Sequence, residues 1–196
     1  MRNFLLILIL TLCFQSLVKA NDIRDFQIEG MSIGDSALDY FTKKEIRTER
    51  KYRIKYPNSN KFSAITFYEH PMLKVYQSVQ INVKNKDKKY IIYSISGINF
   101  YNNNIDKCNK QMELISAQLI EIFPDSTITK KTKKHEYDKS GKSLIHQNIF
   151  DMDSGDEVRV ECYDWSKKDE ENNGWTDNLS IDIYNKEVAT FIRQNS

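Results

Sequence analysis

The order of segments predicts an α+β domain: a mainly antiparallel sheet built from hairpins, with a long amphipathic helix and short N- and C-terminal helices packed on one face. Three observations carry this. Two pairs of β-rich runs are joined by short polar connections, at 84–88 and 154–155. Apolar residues recur every three or four positions over 104–123. Nowhere do strands and helices alternate in the regular way that builds a parallel sheet.

The chain opens "MRNFLLILILTLCFQSLVKA": Arg2, an apolar run from Phe4 to Val18, then Val18-Lys19-Ala20. A short positive region, an apolar stretch and compact residues before a break describe a cleavable secretory signal over residues 1–20. The run is short for a bilayer span, and Leu12 before Cys13 is not the small residue a lipidation site needs. Cleavage leaves residues 21–196, a length suited to one domain. The 29 basic residues, less Arg2 and Lys19, then balance 27 acidic ones. With no net charge, neither nucleic acid nor an anionic membrane is an expected partner. The expected location is the periplasm, or outside the cell.

Residues 36–46 read as a short helix capped by Asp35 or Ser36, with Ser36 and Asp39 in capping-box spacing. A charged stretch ends at the turn Pro57-Asn58-Ser59-Asn60. "FSAITFY", "LKVYQSVQINV" and "KYIIYSISGINFY" then read as strands, the last two as a hairpin. In the following helix Ile105, Cys108, Met112, Ile115, Leu119 and Ile122 form one stripe, and Pro124 stops it. Residues 125–143 look least structured. "LIHQNIFDMD" and "DEVRVECYD" form a second hairpin, "DWSKKDEENNGWTDN" a polar loop, "LSIDIY" a last strand and 186–193 a terminal helix.

Export makes Cys108 and Cys162 the expected disulfide. Cys108 lies on the apolar stripe of the long helix, and Cys162 follows Val158 and Val160 on the covered face of its strand. Neither belongs to a Cys-x-x-Cys pair of the redox type.

Four stretches invite a chemical reading. Gly34-Asp35-Ser36 resembles the first block of the SGNH, or GDSL-type, esterases, whose serine needs a histidine to take its proton. The residues three before His70, His135 and His146 are Phe67, Thr132 and Ser143, so the family's Asp-x-x-His block is missing. "DEENNGWTD" sets Asp169, Glu171, Asn173 and Asp177 at calcium-loop positions, although the bidentate acid at position twelve is replaced by Ser180. The acids of "DMDSGDE" read as solvated hairpin residues. The basic cluster Lys130, Lys131, Lys133, Lys134, His135, Lys139 and Lys142 reads as a solvated loop. Trp165 and Trp175, with Tyr163 and Tyr184, either pack beneath the polar loop or make a ligand surface.

The leader, "IEGMSIGDSALDYF", "KYIIYSISG", the helix cysteine, "HEYDKSGKS" and "VECYDWS" together resemble a group of small exported proteins of marine alphaproteobacteria. That resemblance implies export and an envelope location, and it carries no catalytic residues. The Gly-x-x-Ile-Gly-x-Ser opening is also similar in outline to outer-membrane assembly lipoproteins, which implies binding rather than catalysis. The expectation is therefore a non-enzymatic exported domain, without a cofactor, that binds an envelope protein or a small ligand. A secreted hydrolase and a weak calcium module are the alternatives.

Overall fold

A computed structural model describes residues 22–50, 54–56, 59–102 and 104–195. The expected leader lies outside them, as do Pro57 and Asn58 of the expected turn. The fold is α+β. Among the described residues, eight strands form one antiparallel sheet: β1 (Ile54–Lys55), β2 (Phe62–Tyr68), β3 (Ser78–Lys84), β4 (Ser94–Phe100), β5 (Thr127–Lys134), β6 (Leu144–Asp151), β7 (Glu157–Asp164) and β8 (Asn178–Tyr184). Their order across the sheet is β1-β2-β3-β4-β8-β7-β6-β5. Two four-strand meanders are thus joined through their last strands, with Gly97 opposite Ile181 at the centre. Helix α2 (Ile105–Ile122) carries the chain from β4 to the far edge. Among the described residues no helix is long and apolar enough to cross a membrane.

Strand alternation decides what each face carries. Register places Ile65, Ile81, Ile95, Ile183 and Val158 on one face, where α2 presses Cys108, Met112, Ile115 and Leu119 onto it. Asn104 caps α2 by accepting from the Lys107 amide at 3.1 Å, and the helix stops at Ile122, two residues before Pro124. Cys108 and Cys162 meet on this face with their sulfurs 2.00 Å apart, both fully buried.

Several elements differ from the sequence expectation. The helix expected over 36–46 is a 3-10 turn (Ala37–Asp39) followed by α1 (Lys43–Glu49). Buried Ala37, Phe41 and Ile46 are spaced four and five apart, and five residues carry a continuous helix about 140° off its own stripe. Breaking at Tyr40 and Phe41 lets Phe41 stack on Phe67, with centroids 3.7 Å apart, while Ile46 is still buried. The capping box is accordingly Thr42 with Glu45 rather than Ser36 with Asp39. In the second hairpin run, a turn forms at 84–87 but pairing resumes only at Ser94. The intervening backbone instead bonds the N-terminal segment, through Gly34 N to Ile92 O and Ala37 N to Tyr90 O, both at 2.9 Å.

Residues expected to be unstructured include β5, eight exposed residues paired along their whole length with β6. The polar loop contains α3 (Lys167–Asn173), capped by Ser166 and ended by Gly174 at φ +66°. Both elements bury almost nothing, so neither leaves a hydrophobic period to read.

The helices also do not share one face. The terminal helix α4 (Lys186–Asn195) packs Val188, Ala189 and Phe191 on Phe62 and Tyr184, which register places on the face opposite α2. That second face is polar and nevertheless buried. Gln147, Glu161, Ser180 and Asp182 are each at most 4% exposed there, although α4 is the helix that packs on this face and covers only its end. A flat sheet would leave them in water, so the sheet curls, with its polar face concave, and α4 stops the end where β2 and β4 begin.

Candidate functional site

The residues singled out by motif do not assemble into an active site. Ser36 accepts from the Leu38 amide at 3.2 Å and donates to the Lys89 carbonyl at 2.6 Å. The histidines are occupied elsewhere: His70 with Glu45 at 3.3 Å, His146 with Thr132 at 3.0 Å, and His135 against Trp165. Replacing Ser36 with Ala is expected to cost about 1 kcal/mol of stability through the lost cap. Calorimetry of the variant checks this, and a loss above about 3 kcal/mol would show a larger structural role.

The calcium-loop arrangement is replaced by α3. Helix geometry turns Asp169 and Glu171 about 200° apart. Asp169 accepts from the Ser143 and Ser166 hydroxyls, each at 2.7 Å, and Asn173 reaches back to it at 3.4 Å. Asp177 is buried and holds the Trp165 amide at 3.0 Å. Among the described residues no group of His, Cys, Asp or Glu side chains is placed to hold a metal ion.

The unusual chemistry lies on the concave face. Register sets Gln147, Glu161, Ser180, Ile98, Ser78 and Tyr68 in one row across the sheet, and Arg159, Asp182, Ser96 and Gln80 in the next. Arg159 donates to Glu157 and its Nη1 lies 3.6 Å from Glu161; Gln147 Nε2 also donates to Glu161. The Tyr163 hydroxyl donates to the other Glu161 oxygen at 2.7 Å. Ser180 donates to Asp182 Oδ1 at 2.7 Å, and Arg193 of α4 reaches Glu157 at 3.0 Å. Three buried carboxylates therefore face one buried guanidinium and a half-exposed one.

That imbalance appears in the ionisation of Asp182. Burial, and then the charge of Glu161, push its carboxyl up to about 7; the Ser96 and Ser180 hydroxyls and Arg159 pull the other way without cancelling the rise. Burial raises the Tyr163 and Tyr184 phenols well above their usual value. Burial opposes the charge on Arg159, yet Tyr184, Glu161 and Glu157 hold it more firmly protonated than usual.

Three buried polar atoms on this face receive no hydrogen bond from the described residues: Asp182 Oδ2, Gln147 Oε1 and Ser78 Oγ. An unpaired buried polar atom costs about 1–3 kcal/mol, so each calls for a partner.

The face opens at the end remote from α4. On one side of this mouth, His135 and Trp175 lie 4.3 and 4.4 Å from Trp165, and Tyr163 lies 6.0 Å from it. Hydrogen bonds order the loop that carries His135. Asp138 accepts from the amides of Ser140, Lys142 and Ser143 at 2.7–2.9 Å, and the Ser140 hydroxyl, with the Ser143 and Ser140 amides, holds its carboxyl well below the usual range. A hollow of about 370 Å³ lined by Tyr68, His70, Leu73, Tyr76, Gln77 and Phe100 lies at the same end of the sheet but mainly on the apolar side, where Tyr76 covers Gly97, Leu73 joins the core and His70 meets Phe41 and Phe67. Of its lining, Tyr68 and Phe100 have the register of the polar face, sharing cross-sheet rows with Gln147 and Tyr163.

No family model, curated protein or solved structure matches the chain.

A second hollow, about 490 Å³, lies beside the start of α4. Several of its polar groups are already engaged: Glu187 bridges Lys61 and Lys84 at 2.9 and 3.0 Å, and Asp156 accepts from the Lys186 amide at 2.7 Å.

Of the aromatic residues considered from sequence, Trp165, Trp175 and Tyr163 come together, while Tyr184 packs against α4 at the opposite end. Sequence reasoning missed Asp182, Gln147 and Glu161. The signal was present in "LSIDIY", where Ser180, Asp182 and Tyr184 alternate with Leu179, Ile181 and Ile183, and in "DEVRVECYD". An alternating strand ordinarily turns its polar side to water, and only the curl of the sheet buries this one.

Proposed function

We propose that the chain is an exported, non-enzymatic domain of the bacterial envelope, or a secreted one, that binds a small ligand at the mouth of its concave face. The observation that carries this reading is the set of unpaired buried acceptors on that face, each of which calls for a donor. Export is supported by the leader pattern and by the buried cysteine pair, a bond that persists in oxidising compartments. The resemblance to small exported envelope proteins points the same way.

The test is a thermal-shift screen of purified residues 21–196 against amines, carboxylates, sugars and phosphate esters, run beside an acyl-ester hydrolysis panel. The expected result is stabilisation by one chemical class and no ester turnover. Hydrolysis that disappears on Ser36→Ala would replace this reading with an esterase, and an empty screen would remove the ligand.

A further inference from the structure

Resting on that reading, we propose that the ligand is a small organic cation, a protonated amine whose N–H groups donate to Asp182 Oδ2 and Gln147 Oε1.

The argument starts from what the open atoms can accept. Asp182 and Gln147 are 4% and 2% exposed, and both leave an acceptor without a donor. A carboxylate ligand would bring more acceptors and more negative charge to a face where Glu157, Glu161 and Asp182 already outnumber Arg159 and Arg193. A neutral alcohol offers one donor and leaves the charge unbalanced. An inorganic cation finds no ligand set among the described residues. An ammonium group brings up to three donors and the missing positive charge.

The mouth suits the same class. Tyr163 links the Glu161 carboxylate to the ring cluster around Trp165, so a cation entering there meets aromatic faces before it meets carboxylates.

The test uses three probes with one carbon skeleton: butylamine, butanol and butyrate, titrated into residues 21–196 at pH 7.5 by calorimetry and thermal shift. Butylamine alone is expected to bind, with a Kd of about 1 mM or tighter for so small a molecule. Asp182→Asn should weaken it at least tenfold while far-ultraviolet circular dichroism stays unchanged, and Gln147→Leu should weaken it independently. Binding of butanol or butyrate equal to that of butylamine would overturn the cation assignment and leave the small-ligand reading standing. So would a hit from a non-amine class in the broader screen with butylamine silent. No binding by any probe in either experiment would overturn both and assign the open acceptors to enclosed water.

Discussion

Asp182→Asn is expected to raise the stability of the protein at pH 8 by about 3 kcal/mol, and its Tm by roughly 6–12 °C. Most core substitutions do the opposite, so the sign is diagnostic. The folded-state carboxyl is pushed up to about 7 from an ordinary 3.8, so the folded chain binds a proton more tightly than the unfolded chain. The stability tied to that proton is fully present below pH about 4 and is lost as the pH rises through 7. The raised carboxyls of Glu170 and Asp177 act in the same direction, burial being the main cause for both. Those of Asp22 and Glu45, held down to about 2 by hydrogen bonds, act only in acid. Urea melts of the wild type should therefore show falling stability from pH 5 to pH 8, and the variant a much flatter profile. An unchanged slope, or a variant weaker than wild type at pH 8, would show that Asp182 is stably charged within the sheet.

The second large effect is expected at the cysteines. Cys108 and Cys162 are 54 residues apart and fully buried, one on α2 and the other on β7. In the chain-entropy account, closing a loop of that length stabilises the fold by about 4 kcal/mol. Changing both cysteines to Ala should lower the Tm by roughly 8–16 °C. Because neither sulfur is exposed, a mild thiol reductant should leave the folded protein oxidised for hours at 25 °C and cleave the bond once urea opens the core. Mass spectrometry of the unreduced digest should contain the crosslinked peptide pair. Two free thiols, or an unchanged Tm in the double variant, would contradict this account.

What the sequence made legible was whatever buries apolar side chains at a regular spacing. Helix α2, the hairpin of β6 and β7, and the shared face of the two cysteines all follow from local periods of 3.6 and 2 residues. Strand β5 was illegible because its "TITKKTKK" contributes backbone pairing and no core. Helix α3 was illegible because it is polar all round and held by its caps, Ser166 and Gly174. The candidate site was hidden for a different reason. The alternation that puts Asp182 opposite the apolar face is plain, but whether that side meets water depends on the curl of eight strands, a property of the whole sheet rather than of any one segment. The serine of Gly34-Asp35-Ser36 shows the converse: its capping geometry was readable locally, and the esterase resemblance rested on three residues without a base.

The placement of β8 has a bearing on how the chain comes to be assembled. The last strand in sequence is the central strand in space, so until it arrives the preceding seven remain two separate ribbons, each with an open inner edge along β4 or β7. A chain stopped short of Asn178 holds the halves together through α2 and the cysteine bridge alone. Folding is therefore deferred until β8 is available and is slow because its decisive contact is remote in sequence. Truncation at the C-terminus is then the damage most apt to convert this protein from one continuous sheet into an aggregate of unpaired edges.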